Sequence, residues 1–276
     1  MNHLKPSETL EVLMNGAKAK ADMPLKKMII FGIFAGAFIA FAGAGANMGS
    51  FNLLANPETF GLGKILSGTI FTVGLMLVVL GGAELFTGNT TMLAAAIDKR
   101  ITFSSMLKNW VIVYICNFIG GVLIAFMIYY SGGLNAGDGW LGAITVKIAS
   151  GKVNMGFGQA LVSGIMCNWL VCMAVWLSTG AQTTTGKIFS IFFPIWLFVT
   201  AGFEHSVANM FFIPAGIFAS TNELFTALSG VSAEVLANLT WSGMLINNLL
   251  PVTIGNIVGG AICVAVGYYA ALKSEK

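Results

Sequence analysis

Two carboxyl groups sit where apolar sequence should exclude them. Glu84 lies in Gly82-Ala83-Glu84-Leu85-Phe86-Thr87-Gly88-Asn89 and Glu204 in Gly202-Phe203-Glu204-His205-Ser206-Val207-Ala208-Asn209, 120 residues on, and both strings read Gly-x-Glu-x-x-x-x-Asn. Each interrupts a hydrophobic run with small or helix-breaking residues. That is the sequence form of a broken transmembrane helix, whose unwound backbone lines a cavity because it cannot face lipid. His205 is the one histidine inside the apolar sequence, since His3 stands at the N-terminal end. An intramembrane ionisable group is a functional candidate by default. At the midplane His205 can donate to an anion or carry a proton, and Thr87 offers it an uncharged hydroxyl partner. Glu84 and Glu204 read as structural, accepting from backbone donors left over at half-helix N-termini, and Asn89 and Asn209 close the two strings. Ser206 beside His205 suggests a nucleophile and base. Adjacent helical residues point about 100° apart, and no third orienting group is indicated, so an enzyme is not expected.

The elements that position these groups must cross a membrane. Apolar residues make up 57% of the chain and charged residues 9%, with a mean hydropathy of +0.84, whereas soluble domains carry about 25% charged residues. The 276 residues are read as one membrane domain, 1–276, with no separate soluble module. A net charge of +3 does not suggest nucleic acid. Cys116, Cys167, Cys172 and Cys263 fall in apolar segments without CxxC spacing, and with two histidines in the chain no metal site or other cofactor is expected. The N-terminal residues lack the apolar core of a signal peptide.

An amphipathic surface helix is expected over 6–23, capped by Ser7 and stopped by Pro24. Six spans follow, over 28–48, 65–97, 103–130, 157–178, 188–219 and 251–272. The second and fifth exceed the roughly 20 residues that cross a bilayer, and these hold the two breaks. Residues 131–154 read as a glycine-rich loop carrying Asp138, Lys147 and Lys152, and Pro251 opens the last span. Six spans put both termini on one side. Eleven basic residues, including Lys20, Lys187 and Lys276, fall there and three, Lys64, Lys147 and Lys152, fall opposite, so the termini are expected to be cytoplasmic. Asn117-Phe118-Ile119-Gly120-Gly121 in span three resembles Asn256-Ile257-Val258-Gly259-Gly260 in span six. The chain is therefore read as an all-α integral membrane protein of two inverted three-helix repeats, with its binding or permeation site where the broken second and fifth helices meet. Phe71, Leu75, Leu85, Phe86, Val171 and Phe198 surround the breaks, as packing or as hydrophobic constrictions that exclude hydrated ions. Lys152 would raise the local anion concentration at the mouth.

Ala83-Glu84-Leu85-Phe86-Thr87, Cys167-Asn168-Trp169-Leu170-Val171-Cys172, the Glu204 string with Met210, and Asn248-Leu249-Leu250-Pro251-Val252-Thr253-Ile254-Gly255-Asn256 resemble the formate/nitrite transporter family over essentially the whole chain. The resemblance implies an aquaporin-like protomer in a homopentamer, one pore per subunit, in the plasma membrane of a prokaryote with cytoplasmic termini. It implies passage of small monovalent anions of weak acids: hydrosulfide, formate or nitrite, with chloride as a further candidate. Thr87 and His205 would flank a central chamber, with Lys152 drawing anions into the outer vestibule. Leu75, Leu85 and Phe86 would form an inner constriction, Phe71, Val171 and Phe198 an outer one, and Asn168 would join Asn89, Asn209 and the two glutamates in holding the breaks. Two departures, Glu84 in place of Asp and Gly151-Lys152-Val153-Asn154-Met155 in place of a histidine-rich neighbourhood, point toward hydrosulfide ahead of formate, with nitrite third.

The chemistry is coherent with this. A bare anion in an apolar constriction loses its hydration at great cost, whereas its conjugate acid crosses cheaply, and a central histidine can bind the anion and lend it a proton. A proton-coupled symporter for formate or nitrite is the closer alternative. An aquaporin-type neutral-solute channel would carry paired Asn-Pro-Ala motifs and a selectivity arginine, whereas the sole arginine here is Arg100.

Overall fold

The computed structural model describes residues 3–273, so Lys276 of the charge count lies outside the described residues. Helix α1 (Pro6–Ala21) opens with Glu8 accepting from the Lys5 N–H at 2.8 Å, so Glu8 and not Ser7 ties its first turn. It buries Leu10, Leu13, Met14 and Ala17. The membrane helices are α2 (Leu25–Ala55), α3 (Phe60–Gly81), α5 (Phe103–Tyr130), α7 (Phe157–Gly180), α8 (Thr184–Ala201) and α11 (Trp241–Lys273), six long and apolar enough to span. Between them lie α4 (86–97, with a 3₁₀ turn at Thr90–Met92), α6 (Trp140–Val153), α9 (Ser206–Ala219) and α10 (Glu223–Ser229). The one β-type pairing among the described residues is an isolated bridge from His3 to Ala181. Phe34, Phe41, Val111, Ile115 and Ile119 stand exposed on α2 and α5, as lipid-facing or subunit-facing helices require.

The two repeats are visible in the packing. Helix α2 crosses α5 where a Cβ on Gly120 would lie 2.1 Å from the Ile33 carbonyl oxygen, and α7 crosses α11 where a Cβ on Gly259 would lie 2.2 Å from that of Ile165. Only glycine admits such backbone contact. The two helices that precede the breaks, α3 and α8, pack on each other at the centre. There a Cβ on Gly68 would lie 2.6 Å from Thr200 Oγ1.

Three sequence expectations change. Residues 140–153 form a helix inside the stretch read as a loop, because tertiary contact overrides glycine's preference. Ala149 meets Gly216 of α9, where a Cβ would lie 2.1 Å away, and Gly142 lies under the Phe225 ring of α10. The last span begins at Trp241 and not at Pro251. The wide π-helical turns of Met244–Leu249 precede Pro251, which falls in the first turn of the α-helical stretch Leu250–Ile257, where its missing N–H costs little. The first span extends to Ala55, about two turns past its expected end.

Helix α1 and the last turn of α11 meet at the turn after α4. Arg100 pairs with Glu11 of α1, donates to Asn15 Oδ1 at 2.9 Å, and donates through Nε to Asp98 Oδ2 at 2.7 Å. From α11, Lys273 pairs with Glu11 at 3.0 Å, and Tyr269 donates to Asp98 Oδ1 at 3.0 Å. The Arg100 hydrogen bonds hold the Glu11 and Asp98 carboxyls below their ordinary values. A depressed carboxyl contributes stability above its unfolded value, about 4, and loses it as pH falls through the folded one. Hydrogen exchange of the α1 amides, corrected for intrinsic rate, should therefore accelerate several-fold below about pH 4 and be fast already at pH 7 in Arg100→Gln. Identical protection in both proteins down to pH 3 would contradict this tie.

Candidate functional site

Gly82 and Gly202 end α3 and α8 in the left-handed region, at φ +82 and +79, and each begins an unwound segment before the next half-helix. An asparagine clamps each break. Asn117 Oδ1 accepts from the Phe86 N–H at 2.9 Å, while Nδ2 donates to the carbonyls of Glu84 at 2.9 Å and Gly32 at 2.8 Å. Asn256 does the same for the second break: it accepts from the Ser206 N–H at 2.9 Å and donates to the carbonyls of Glu204 at 3.0 Å and Gly164 at 2.8 Å. Sequence reasoning used Asn-x-x-Gly-Gly as a sign of duplication alone. The glycines bring the helices to backbone contact, and the asparagine that precedes them then reaches the break.

Because these amides satisfy the break backbone, the carboxylates are free for side chains. Glu84 receives Lys20 Nζ on both oxygens, at 3.0 and 3.1 Å, and Asn89 Nδ2 at 2.7 Å. Glu204 receives Lys152 Nζ at 2.7 Å, Asn209 Nδ2 at 2.7 Å and Asn248 Nδ2 at 3.1 Å. Asn109 and Asn248 complete the correspondence, accepting from Asn89 at 2.8 Å and from Asn209 at 2.7 Å. The two ties are not identical: Lys20 bridges both Glu84 oxygens and also donates to Asn89 Oδ1 at 2.7 Å, whereas Lys152 reaches one Glu204 oxygen, Asn248 donates to the other, and Asn209 Oδ1 is buried without a partner among the described residues. Both carboxylates are buried, and a buried charge needs its counter-ion. Lys20, 64 residues from Glu84 and on a helix read as a surface anchor, carried no sequence signal for this role. Lys152 stands on α6 with its ammonium already paired.

Between the ties, the two breaks meet. His205 is the N-cap of α9: its Nδ1 accepts from the Ala208 N–H at 3.0 Å. That bond assigns the ring hydrogen of neutral His205 to Nε2, which donates to Thr87 Oγ1 at 3.0 Å. The Thr87 hydroxyl hydrogen is then left to donate elsewhere. A doubly protonated ring would set hydrogen on Nδ1 against the Ala208 N–H, so the charged ring and the cap exclude each other. Three donors converge on the Thr87 carbonyl: Thr90 Oγ1 at 2.6 Å, Asn168 Nδ2 at 3.2 Å and Cys172 Sγ at 3.3 Å. Asn168 also donates to the Asn256 carbonyl at 2.6 Å, linking the first break to the clamp of the second.

Two cavities approach this pair from opposite faces. The one away from α1, outer by the sequence expectation, is about 660 Å³ and lined by Lys64, Lys147, Lys152, Phe71, Phe198, Glu204 and His205, and the one beside α1, inner by the same expectation, is about 590 Å³ and lined by Lys20, Lys27, Lys187, Leu75, Leu85 and Glu84. Phe71 and Phe198 meet edge to face at 5.9 Å, and Phe198 stacks on the His205 ring at 5.9 Å. Phe71, Leu75, Leu85 and Phe198 are all at most 3% exposed. Two residues expected at the constrictions line neither cavity. Phe86 packs its ring against Tyr114 at 4.9 Å and Trp110 at 6.2 Å, drawn there by the Asn117 clamp on its own N–H. Val171 is 1% exposed within the core. Among the described residues no group of histidine, cysteine and carboxyl side chains could hold a metal ion.

The formate/nitrite transporter family profile matches residues 7–270. A probable formate transporter of Methanothermobacter thermautotrophicus is 41% identical, covering 98% of this chain and 97% of its own. The formate channel FocA of Haemophilus influenzae is 41% identical over 95% and 93% of the two chains. Among solved structures, a pentameric formate channel with formate bound superposes with a TM-score of 0.79 at 33% identity, covering 90% of this chain and 97% of its own. An FNT family ion channel superposes at 0.80 with 26% identity, covering 96% and 98%.

The clamps give a direct stability prediction. Asn256→Leu strands the Ser206 N–H and the Glu204 carbonyl, at roughly 1–3 kcal/mol for each buried group left unpaired. Thermal unfolding in detergent should fall by several degrees, and by a similar amount for Asn117→Leu. Native melting of both variants would show that the breaks do not need these amides.

Proposed function

We propose that this chain, which belongs to the formate/nitrite transporter family, is a formate channel with the Thr87–His205 pair as its central anion site. The observation that carries this reading is the 3.0 Å Thr87–His205 contact between two lysine-lined cavities. Formate enters a cavity, passes the apolar constriction, and exchanges water for the Thr87 hydroxyl, whose hydrogen the His205 tautomer leaves free. Between Phe71 and Phe198 outside and Leu75 and Leu85 inside, the anion is destabilised relative to formic acid, so proton uptake from the aqueous side favours passage. No enzyme chemistry is called for: the relatives are transporters and channels by name.

Formate now ranks ahead of hydrosulfide. The Glu84 oxygens face Lys20 and Asn89 in their tie, so the Glu84-for-Asp departure does not bear on the permeating anion, and the relatives carry formate in their names. By the same likeness the protein is read as a homopentamer in a prokaryotic plasma membrane, with the face of α1 and the α11 end cytoplasmic because the basic residues gather there.

Flux into proteoliposomes of formate, hydrosulfide, nitrite and chloride tests the assignment. The native protein should pass formate well above empty vesicles, and His205→Phe should lose at least tenfold of it, about 1.4 kcal/mol of site stabilisation. Native vesicles that pass hydrosulfide but not formate would return the substrate to the other branch. Vesicles that pass no anion would remove the channel reading.

A further inference from the structure

The lysine expected to attract anions, Lys152, is neutralised by Glu204, and Lys20 by Glu84 on the other side. Each cavity nevertheless holds three lysines against one glutamate. Of the remaining cations, Lys147 is exposed at the outer mouth and Lys27 lies over the Phe31 ring at 5.2 Å. That leaves Lys64 in the outer cavity and Lys187 in the inner one. Both are half-buried, and among the described residues neither ammonium donates a hydrogen bond or joins an ion pair. Lys64 Nζ lies beside the second break, 3.6 Å from where a Cβ on Gly202 would stand.

The two lysines are related by the repeat. Gly63-Lys64-Ile65 lies in the first two turns of α3 and Gly186-Lys187-Ile188 in the first two turns of α8, so each helix that leads to a break carries the same three residues near its start. In α3, Lys64, Ser67 and Phe71 recur at helical spacing and all line the outer cavity, placing the ammonium two turns before the outer constriction. An unpaired, partly desolvated ammonium on the wall of a largely apolar cavity is a complement for a small monovalent carboxylate, because low-dielectric walls focus its field.

We propose that Lys64 and Lys187 are the anion-capturing residues of the outer and inner cavities, each holding one small monovalent carboxylate before it reaches Thr87 and His205. Lys152 and Lys20 act as the counter-ions that hold the breaks. The inference rests on the formate-channel reading above.

Sided formate addition to protein oriented in planar bilayers or proteoliposomes tests it. Lys64→Gln should raise the half-saturating formate concentration about tenfold for formate added to the outer-cavity face. Maximal flux and half-saturation from the opposite face should stay native. Lys187→Gln should show the mirror pattern, Lys64→Arg should restore the native value, and the difference between native and Lys64→Gln should shrink at 1 M salt as exposed charge is screened. Lys64→Met carries the same test if Lys64→Gln does not assemble. A merely structural role would instead lower maximal flux from both faces. Native half-saturation in Lys64→Gln, or reduced maximal flux with half-saturation unmoved, overturns the inference while native formate flux keeps the channel reading. Absence of native formate flux overturns both.

Discussion

The structure depends on satisfying backbone that a membrane does not allow to stay unpaired. Two helices are interrupted where no lipid-facing segment could be, and the free N–H and C=O groups need partners inside the protein. Asn117 and Asn256 supply them with one side chain per break, each accepting from the residue that opens the next half-helix and donating to the glutamate carbonyl. The glycines after each asparagine let the carrying helix come close enough. With the backbone satisfied, the loop side chains are available for other work, and the two breaks can be set against each other so that Thr87 of one meets His205 of the other.

Charge is handled by the same duplicated logic. Each glutamate is buried against a lysine, with one asparagine amide on Glu84 and two on Glu204, and removing one member of such a pair typically costs about 3–5 kcal/mol because the other charge is left unpaired. The lysines come from different places: Lys152 from α6, within the membrane domain, and Lys20 from α1, at the chain's beginning. The inner tie therefore makes α1 part of the wall of the inner cavity. The Arg100 contacts to Glu11 and Asn15 fasten the same helix from outside.

Much of this was legible in the sequence, and what was not has a physical cause. The repeated Gly-x-Glu-x-x-x-x-Asn strings placed both breaks, because a carboxyl in apolar sequence has few explanations. The pairing of Thr87 with His205 followed from bringing those breaks together. Lys20 was illegible as the partner of Glu84, since nothing local distinguishes a lysine that folds back from one that faces solvent. Helix α6 was hidden by the glycines in and before it, of which Gly139 and Gly142 serve close packing against α10, while on its other side Ala149 packs on Gly216 of α9. The family resemblance puts Phe86 and Val171 at the constrictions, yet neither lines the two cavities, and the clamp on Phe86 turns its ring toward Tyr114 and Trp110. Lys64 and Lys187 stand apart only in the fold, where Lys20 and Lys152 pair with the glutamates, Lys27 lies over the Phe31 ring and Lys147 is exposed.

The hydrogen bond from Ala208 to His205 fixes the ring with its hydrogen on Nε2, and under the proposed function this makes the Thr87 hydroxyl the donor an anion meets. Formate flux through Thr87→Ser and Thr87→Val, measured side by side at one formate gradient in proteoliposomes, tests this most directly. Thr87→Ser should stay within about threefold of native, and Thr87→Val, isosteric but without a donor, should fall roughly tenfold or more. A valine variant that conducts formate like the native protein, or a serine variant as inactive as the valine, would contradict it.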